Sequence, residues 1–394
     1  MPGMTKTFYR FLCTHSFLIG LFPFFIPVYL WNMGLSISQI CFFIALTGLS
    51  FCFSLFVWDR LVQIISFKNI ILISFMGEVL LISTLFLEQN EGMLVLLGLL
   101  NGAYNCFFWT TNRLLFTQTI TQNSSGRRFG NSQLIVTIFF KLGVLFGGYL
   151  LEQIGFNAVF IVSAIIGIFG IVLFSTQKNL LSPISSSEGS QAIKLSEILS
   201  YKDQYHSKLV FAIDGLFLYL ESYFWIISLF QIVQQSFWKL GLLVIVMVVI
   251  FSLIYILIKN VIDRISVHHL YNFGVLLYLL SWLLRSKVDQ NLNLFSVFIL
   301  LIFITFFTSL FRLTFNKRFF DITKSDVSLK YILIKSYYSQ FYLAVFFGVL
   351  GGISYLFSDS KLFFRSVYWI AALLTLVYLF YQPVKIKIAS KPLK

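Results

Sequence analysis

Apolar stretches of about twenty residues follow one another along the whole chain, too long and too continuous for the two-residue alternation of a membrane β-barrel. Twelve such windows fall roughly at 11–31, 39–57, 70–87, 93–115, 132–151, 156–174, 209–230, 240–258, 270–284, 294–314, 332–354 and 366–382. Each is close to the ~20 residues that cross a ~30 Å hydrocarbon core. In lipid, backbone N–H and C=O groups find no water, so such segments satisfy them internally as helices. Composition agrees: of 394 residues, 58% are hydrophobic and only 11% charged, too few to solvate a water-soluble surface. A soluble enzyme, a disordered chain and a disulfide-stapled secreted domain are thereby excluded. The expected fold is an all-α integral membrane protein with twelve transmembrane helices.

The formal net charge is +14. In a soluble protein this would suggest nucleic acid, but beside membrane spans it indicates basic cytoplasmic loops, and no nucleic-acid partner is expected. Placing both termini inside assigns 22 of the 29 Lys and Arg residues to the cytoplasmic side and 5 to outer loops (Lys239, Arg285, Lys287, Lys361 and Arg365), with Arg113 and Lys141 left inside spans. That bias sets both termini in the cytoplasm. Cys13, Cys41, Cys52 and Cys106 all fall in apolar stretches without a C-x-x-C pair and read as small buried hydrophobes. Lys6 and Arg10 precede the first window as in a signal peptide, but Pro23, Pro27 and Trp31 follow instead of a cleavage site, so this segment reads as a retained span.

The longest connection, 175–207, holds the Ser-rich run Ser182–Ser190 and then an amphipathic piece around Ile193, Leu195, Ile198 and Leu199. The first reads as a linker, the second as a helix lying on the membrane surface. The predicted organisation is a six-helix half over 1–174, a cytoplasmic linker over 175–208, and a second six-helix half with a short basic tail over 209–394. An offset of 204 residues aligns Asp59-Arg60 with Asp263-Arg264, Asn112-Arg113 with Asn316-Lys317, and Gly147-Gly148 with Gly351-Gly352, each at the matching place in its half. An even number of helices separates the copies, so the repeat is parallel, an arrangement used by secondary transporters.

With these residues in view, the chain resembles the major facilitator superfamily along its whole length. Asp59-Arg60 matches the core of that family's motif between spans two and three. Arg128-Phe129-Gly130, with Gly143 and Gly147-Gly148, is similar to its fifth-span pattern. The loop motif departs at Leu55, Val62 and Gln63-Ile64, and the exporter form of the fifth-span motif departs at Phe139 and Val144. The resemblance implies that spans 1, 4, 7 and 10 line a central path, that 2, 5, 8 and 11 form the gate and the interface between halves, and that 3, 6, 9 and 12 lie outside.

Ionisable groups inside a span cost on the order of 3 kcal/mol each at the bilayer centre and need a compensating reason. Lys141 is near the middle of span five and Glu221 near the middle of span seven. By the resemblance both face the path, as a structural ion pair or as a proton-responsive one. Asp214 lies seven residues before Glu221 and so shares its helix face. Glu78, in span three, reads as a packing or snorkelling residue, and His15 as a packed polar residue. Asn101, Asn105, Trp109 and Asn112, spaced by four, four and three, form one polar stripe on span four, either cavity lining or hydrogen-bond glue. Arg113 beside them is a snorkelling anchor or an anion contact. Tyr331, Lys335, Tyr338 and Tyr342 form a similar stripe on span eleven, and Tyr338 and Tyr342 suit either a polar organic ligand or interface packing. Pro23 and Pro27 break hydrogen bonds in span one and point to a kinked gating helix. Asp59, Arg60, Asp263 and Arg264 are the expected gate residues, with the carboxylates facing helix N-termini and the arginines bridging to neighbouring helices.

No ATP-binding loop, zinc-protease motif or nucleophile elbow is present in the sequence. No metal, cofactor or catalytic residue is expected, and no enzyme activity. The reading is a secondary active transporter, monomeric, in a bacterial inner membrane among its lipids. It would move a small polar organic solute by alternating access in step with protons, and the midplane Lys141 with Arg113 favours an anionic solute. The alternative is an exporter of drugs or lipid-like amphiphiles on the same fold.

Overall fold

The computed structural model describes residues 2–86, 91–119, 125–176, 192–247 with 249, 267–289, 292–325, 328–357 and 359–382. Asp263, Arg264, the Ser-rich run and the basic tail lie outside the described residues. Every regular element described is helical: α1 (Pro2–Leu21), α2 (Ile26–Asn32), α3 (Ile37–Ile64), α4 (Phe67–Thr84), α5 (Glu91–Thr119), α6 (Ser125–Gln153), α7 (Phe156–Ser175), the short α8 (Leu195–Ser200), α9 (Ser207–Tyr219), α10 (Trp225–Ile232), α11 (Phe237–Met247), α12 (Val267–Arg285), α13 (Leu294–Ser325), α14 (Ser328–Ser354) and α15 (Ser360–Leu374). Among the described residues, ten helical runs are long and apolar enough to cross a membrane. The other two windows correspond to α11, whose continuation lies outside the described residues, and to α12.

Local chemistry sets the helix ends. Ser36 and Gln39 form a reciprocal capping box that starts α3. Gly155, at φ 103°, makes the left-handed turn between α6 and α7 that a side chain would strain. Pro23 opens a 3₁₀ turn over Pro23–Phe25 and Pro27 sits in the first turn of α2, so the first span is interrupted where the prolines remove donors. The outward residues Ile161, Ile165, Ile168 and Val172 of α7 make an exposed apolar stripe at helical spacing, as a lipid-facing helix requires.

Glycines allow the closest packing. A Cβ on Gly143 would sit 2.2 Å from the Phe17 carbonyl oxygen, and one on Gly147 would sit 2.1 Å from that of Leu21, so α1 and α6 touch backbone to backbone. In the same way Gly215 brings α9 against the Ser339 carbonyl of α14, where a Cβ would lie 2.2 Å away. Gly147-Gly148 and Gly351-Gly352 both lie late in their helices, α6 and α14.

Among the described residues, two of the seams between the two runs of helices are built as follows. At the first, α3 packs on α14, with Ser38 Oγ donating to the Gly351 carbonyl at 3.0 Å. At the second, Glu152, at the end of α6, accepts from Ser236 Oγ at 3.1 Å and from the Phe237 amide at 3.0 Å. This carboxylate thus caps the N-terminus of α11. Towards the opposite end of the bundle, Phe116 of α5 meets Phe320 of α13 with ring centres 4.8 Å apart.

Candidate functional site

The seventh span runs from Ser207 to Ile232, and a π-helical turn over Leu220–Phe224 joins α9 to α10. Such turns recur at functional sites because they rotate side chains out of the α register. Asp203 fixes the start of the span by accepting from the Ser207 amide at 3.0 Å. Asp214 and Glu221 then project from one face, as their spacing predicts, towards a single guanidinium that sequence reasoning missed. Arg312 of α13 reaches Asp214 Oδ1 with Nη1 at 2.8 Å and Glu221 Oε2 with Nη2 at 3.2 Å.

Three further helices complete the arrangement. Lys335 of α14 lies 3.1 Å from Asp214 Oδ2. Tyr278 of α12 donates to Glu221 Oε1 at 2.5 Å, and Tyr378, in the 3₁₀ turn after α15, donates to Asp214 Oδ1 at 3.1 Å. The Lys335 ammonium also rests over Phe315 and Phe319, 4.7 and 4.4 Å from their centroids. Asp214 is 1% exposed, whereas the Glu221 and Arg312 side chains keep 19% and 17%. Such a cluster is stable only because each charge has a partner; removing one member leaves another uncompensated.

This geometry corrects two expectations. Glu221 pairs with Arg312, and Lys141 does not reach it. Lys141 is partly buried on α6, with its ammonium 4.7 Å from the Phe140 ring centroid and 5.9 Å from that of Phe24, and no carboxylate pairs with it among the described residues. Arg312 and Lys335, counted with the cytoplasmic cations in the loop-charge argument, belong to spanning helices. Two cations sit there because two carboxylates, one buried and one half-buried, face them.

On α5 the polar stripe is a ladder. Asn101 donates to Thr47 Oγ1 at 3.2 Å and to the Tyr223 hydroxyl at 3.3 Å, so it crosses from the first run of helices to the seventh span. Asn105 donates to Asn101 Oδ1 at 3.0 Å, and Trp109 Nε1 donates to Asn105 Oδ1 at 3.1 Å. Asn112 Oδ1 is buried without a hydrogen-bond partner among the described residues. Arg113 Nη1 donates to Ser336 Oγ at 3.1 Å, next in sequence to Lys335. The glue reading holds for Asn101 and Asn105, while Asn105, Trp109, Asn112 and Arg113 all stay partly exposed.

The remaining candidates separate. Tyr338 stacks on Tyr342 at 6.3 Å and donates to the Ile198 carbonyl at 3.0 Å. Tyr342 is 44% exposed, away from the charged cluster's interior. Asp59 is buried and accepts from the Ile193 amide at 2.8 Å, so it holds the linker rather than a neighbouring helix N-terminus. Arg60 folds back on its own helix, donating to the Phe56 carbonyl at 3.2 Å, and among the described residues it does not bridge to a neighbour. The linker is also held to α14 by Glu197, whose carboxylate is 2.6 Å from Lys330 Nζ; that contact keeps it below the usual glutamate range. Glu78 does not snorkel: it is fully buried against His15 Nδ1 at 3.0 Å and accepts from Tyr104 at 3.3 Å.

No curated protein sequence matches. The solved structure of the nucleoside transporter NupG superposes with a TM-score of 0.69 at 13% identity, covering 96% of this chain and 97% of that one. A point mutant of NupG gives 0.71 at 13% identity, covering 95% and 98%. At that identity the likeness speaks for the fold, which is that of a transporter. The sequence model of the Major Facilitator Superfamily matches residues 11–256, more than half of the chain. The chain is therefore an integral multi-pass membrane protein belonging to the major facilitator superfamily of transporters.

Proposed function

We propose that this chain is a secondary active transporter for a small polar organic solute bearing an anionic group, working by alternating access and driven by protons. Its twelve helices act as two six-helix halves, 1–174 and 209–394, with both termini in the cytoplasm of a bacterial inner membrane. One observation carries the substrate class: Arg113 directs its guanidinium at a neutral hydroxyl, Ser336 Oγ, beside a cluster in which Arg312 and Lys335 already balance Asp214 and Glu221. The path thus holds one cation more than its carboxylates neutralise, and an anionic group on the solute supplies the missing charge. Lys141, without a carboxylate partner among the described residues, adds a second uncompensated cation if it joins the same route. Trp109 and the partly exposed amides offer a flat ring and hydrogen bonds to the rest of the solute.

Proton coupling enters through Glu221. A proton on this carboxylate would release Arg312 Nη2 to the solute, while Nη1 stays on Asp214. The test is uptake into proteoliposomes with and without an imposed proton gradient, using carboxylate-bearing metabolites and, because NupG is a nucleoside transporter, neutral nucleosides. Gradient-driven uptake of a carboxylate, abolished in Arg113→Gln, is expected. Uptake of nucleosides alone, unchanged in Arg113→Gln, would overturn the anionic assignment.

A further inference from the structure

A second cationic site lies away from the central cluster, where α10 and α12 end and α15 begins. A cavity of about 60 Å³ opens there, lined among others by Ser228, Arg285, Asp289, Lys361, Arg365 and Tyr368. A single water needs roughly 10–15 Å³ by this measure, so the space admits a group of several heavy atoms such as a carboxylate or a phosphate. Its formal lining charge is that of three cations, Arg285, Lys361 and Arg365, against the one carboxylate of Asp289, which lies 3.9 Å from Lys361 Nζ.

Arg285 is the anchor. It is 3% exposed, and its partners are hydroxyls: Nη1 donates to Ser281 Oγ and Nη2 to Thr308 Oγ1, each at 2.9 Å. Its Nε is buried with no hydrogen-bond partner, and no carboxylate forms an ion pair with it among the described residues. The field of Glu221 reaches it, but that carboxylate is engaged by Arg312 and Tyr278. The indoles of Trp282 and Trp225, with centroids 4.3 and 5.3 Å from the guanidinium carbon, hold the group from the sides without neutralising it. A buried guanidinium with no ion-paired carboxylate is costly, and the cavity that it borders gives an anion room to approach its charge. Ser228 and Tyr368, whose hydroxyls lie 2.7 Å apart, add neutral donors to the same wall.

We propose that this cavity binds a carboxylate or phosphate group between Arg285, Arg365 and Lys361, as a peripheral anion site separate from the central cluster. The group comes either from a free solute or from an anionic lipid headgroup, since the chemistry recognised is the same. The inference does not depend on the central path being anion-selective.

The purified full-length chain, free of added lipid, is titrated calorimetrically with inorganic phosphate at constant ionic strength. In parallel, its thermal stability is compared in nanodiscs of phosphatidylcholine and in nanodiscs that also contain phosphatidylglycerol. Saturable phosphate binding, lost in Arg285→Gln and weakened about tenfold in Arg365→Gln, is expected for a free-solute site, tenfold being the loss of one modest charge-assisted contact. A phosphatidylglycerol-dependent stabilisation that disappears in Arg365→Gln, without phosphate binding, assigns the site to a lipid headgroup. Arg365 and Lys361 are exposed, so Arg365→Gln and Lys361→Gln carry the test if Arg285→Gln fails to fold. Absence of both effects, or binding indifferent to Arg285 and Arg365, overturns the proposal.

Discussion

Asp214→Asn tests the charged cluster directly. The carboxylate is 1% exposed and pairs with Arg312 at 2.8 Å and Lys335 at 3.1 Å. The amide keeps its shape and can still accept the Tyr378 hydroxyl, so what is lost is charge. Arg312 retains Glu221, but Lys335 has no other carboxylate among its contacts and keeps only the rings of Phe315 and Phe319. Breaking a buried pair by removing one partner costs about 3–5 kcal/mol, and the ring contacts recover roughly 1 kcal/mol of that. The single variant is therefore expected to lose about 3 kcal/mol. Asp214→Asn combined with Lys335→Met removes the one charge left unbalanced and leaves Arg312 with Glu221. That double variant should return to within about 1–2 kcal/mol of the parent, a coupling near the upper end of what neighbouring residues show. The assay is unfolding in mixed micelles at increasing SDS fraction, followed by circular dichroism. A single-variant loss below about 1 kcal/mol, or losses of the two single variants that simply add, refutes the view that these charges compensate one another.

Four other outcomes follow. Lys141→Ala and Glu221→Gln should have additive effects on stability within about 0.5 kcal/mol, because the two residues share no contact; a larger coupling in the double variant would restore the pair that the geometry denies. Gly143→Ala should destabilise by about 2 kcal/mol or more, since its Cβ meets a backbone oxygen, whereas Gly348→Ala, with open space around it, should change the SDS midpoint little. Glu78→Gln should destabilise by about 2–3 kcal/mol by leaving His15 without its carboxylate, and the same loss in a His15→Phe background would show that the pair is not the cause. Protease cleavage of the linker should quicken in Asp59→Asn and at low pH. Glu197 is held below its ordinary value of 4.5, so its contact with Lys330 is complete above that value and fades as the pH falls through the lowered one; cleavage rates flat across that range would contradict the clamp.

The helices were legible because lipid leaves the backbone no alternative, and the windows drawn from apolar runs recur as α1 to α7 and again as α13 and α14, with ends shifted by up to eleven residues where, as in α13, the helix continues past the apolar run. Spacing within one helix was equally readable: Asp214 and Glu221 share a face, and Asn101, Asn105 and Trp109 bond in series along α5. Pairing between helices was not. Arg312 lies inside the tenth window, yet a count of loop charges absorbed it, because charge near a window edge ordinarily snorkels. The signal available was the pair of acids seven apart on span seven, which demands a cation from another helix. Lys141 drew attention as the deepest isolated charge, but it lies among phenylalanine rings, and a one-dimensional pattern does not report which helix faces it. His15 and Glu78 come from helices separated by about sixty residues, and nothing local in either sequence segment specifies their contact.

The distribution of contacts bears on how two halves could move. The ion cluster draws on α9, α12, α13, α14 and the turn after α15, all in the second run of helices, so a rocking motion need not break it. What joins it to the first run is of another kind: Asn101 to the Tyr223 hydroxyl and Arg113 to Ser336 Oγ. Hydrogen bonds to neutral partners contribute about 1 kcal/mol each, so a bonded pair such as Asn101 and Tyr223 can part at modest cost if water or solute replaces it. Arg113 differs, because separation would carry away both its hydroxyl partner and the nearby charge of Asp214 and leave a full charge in the membrane. An anion carried in the opening between the halves would meet that charge at the moment it loses its partner. Replacing Arg113 by a neutral residue should therefore slow the exchange of the loaded protein more than that of the empty one. Equal slowing of both, measured by solute counterflow against unloaded exchange, would place Arg113 in the scaffold rather than on the route.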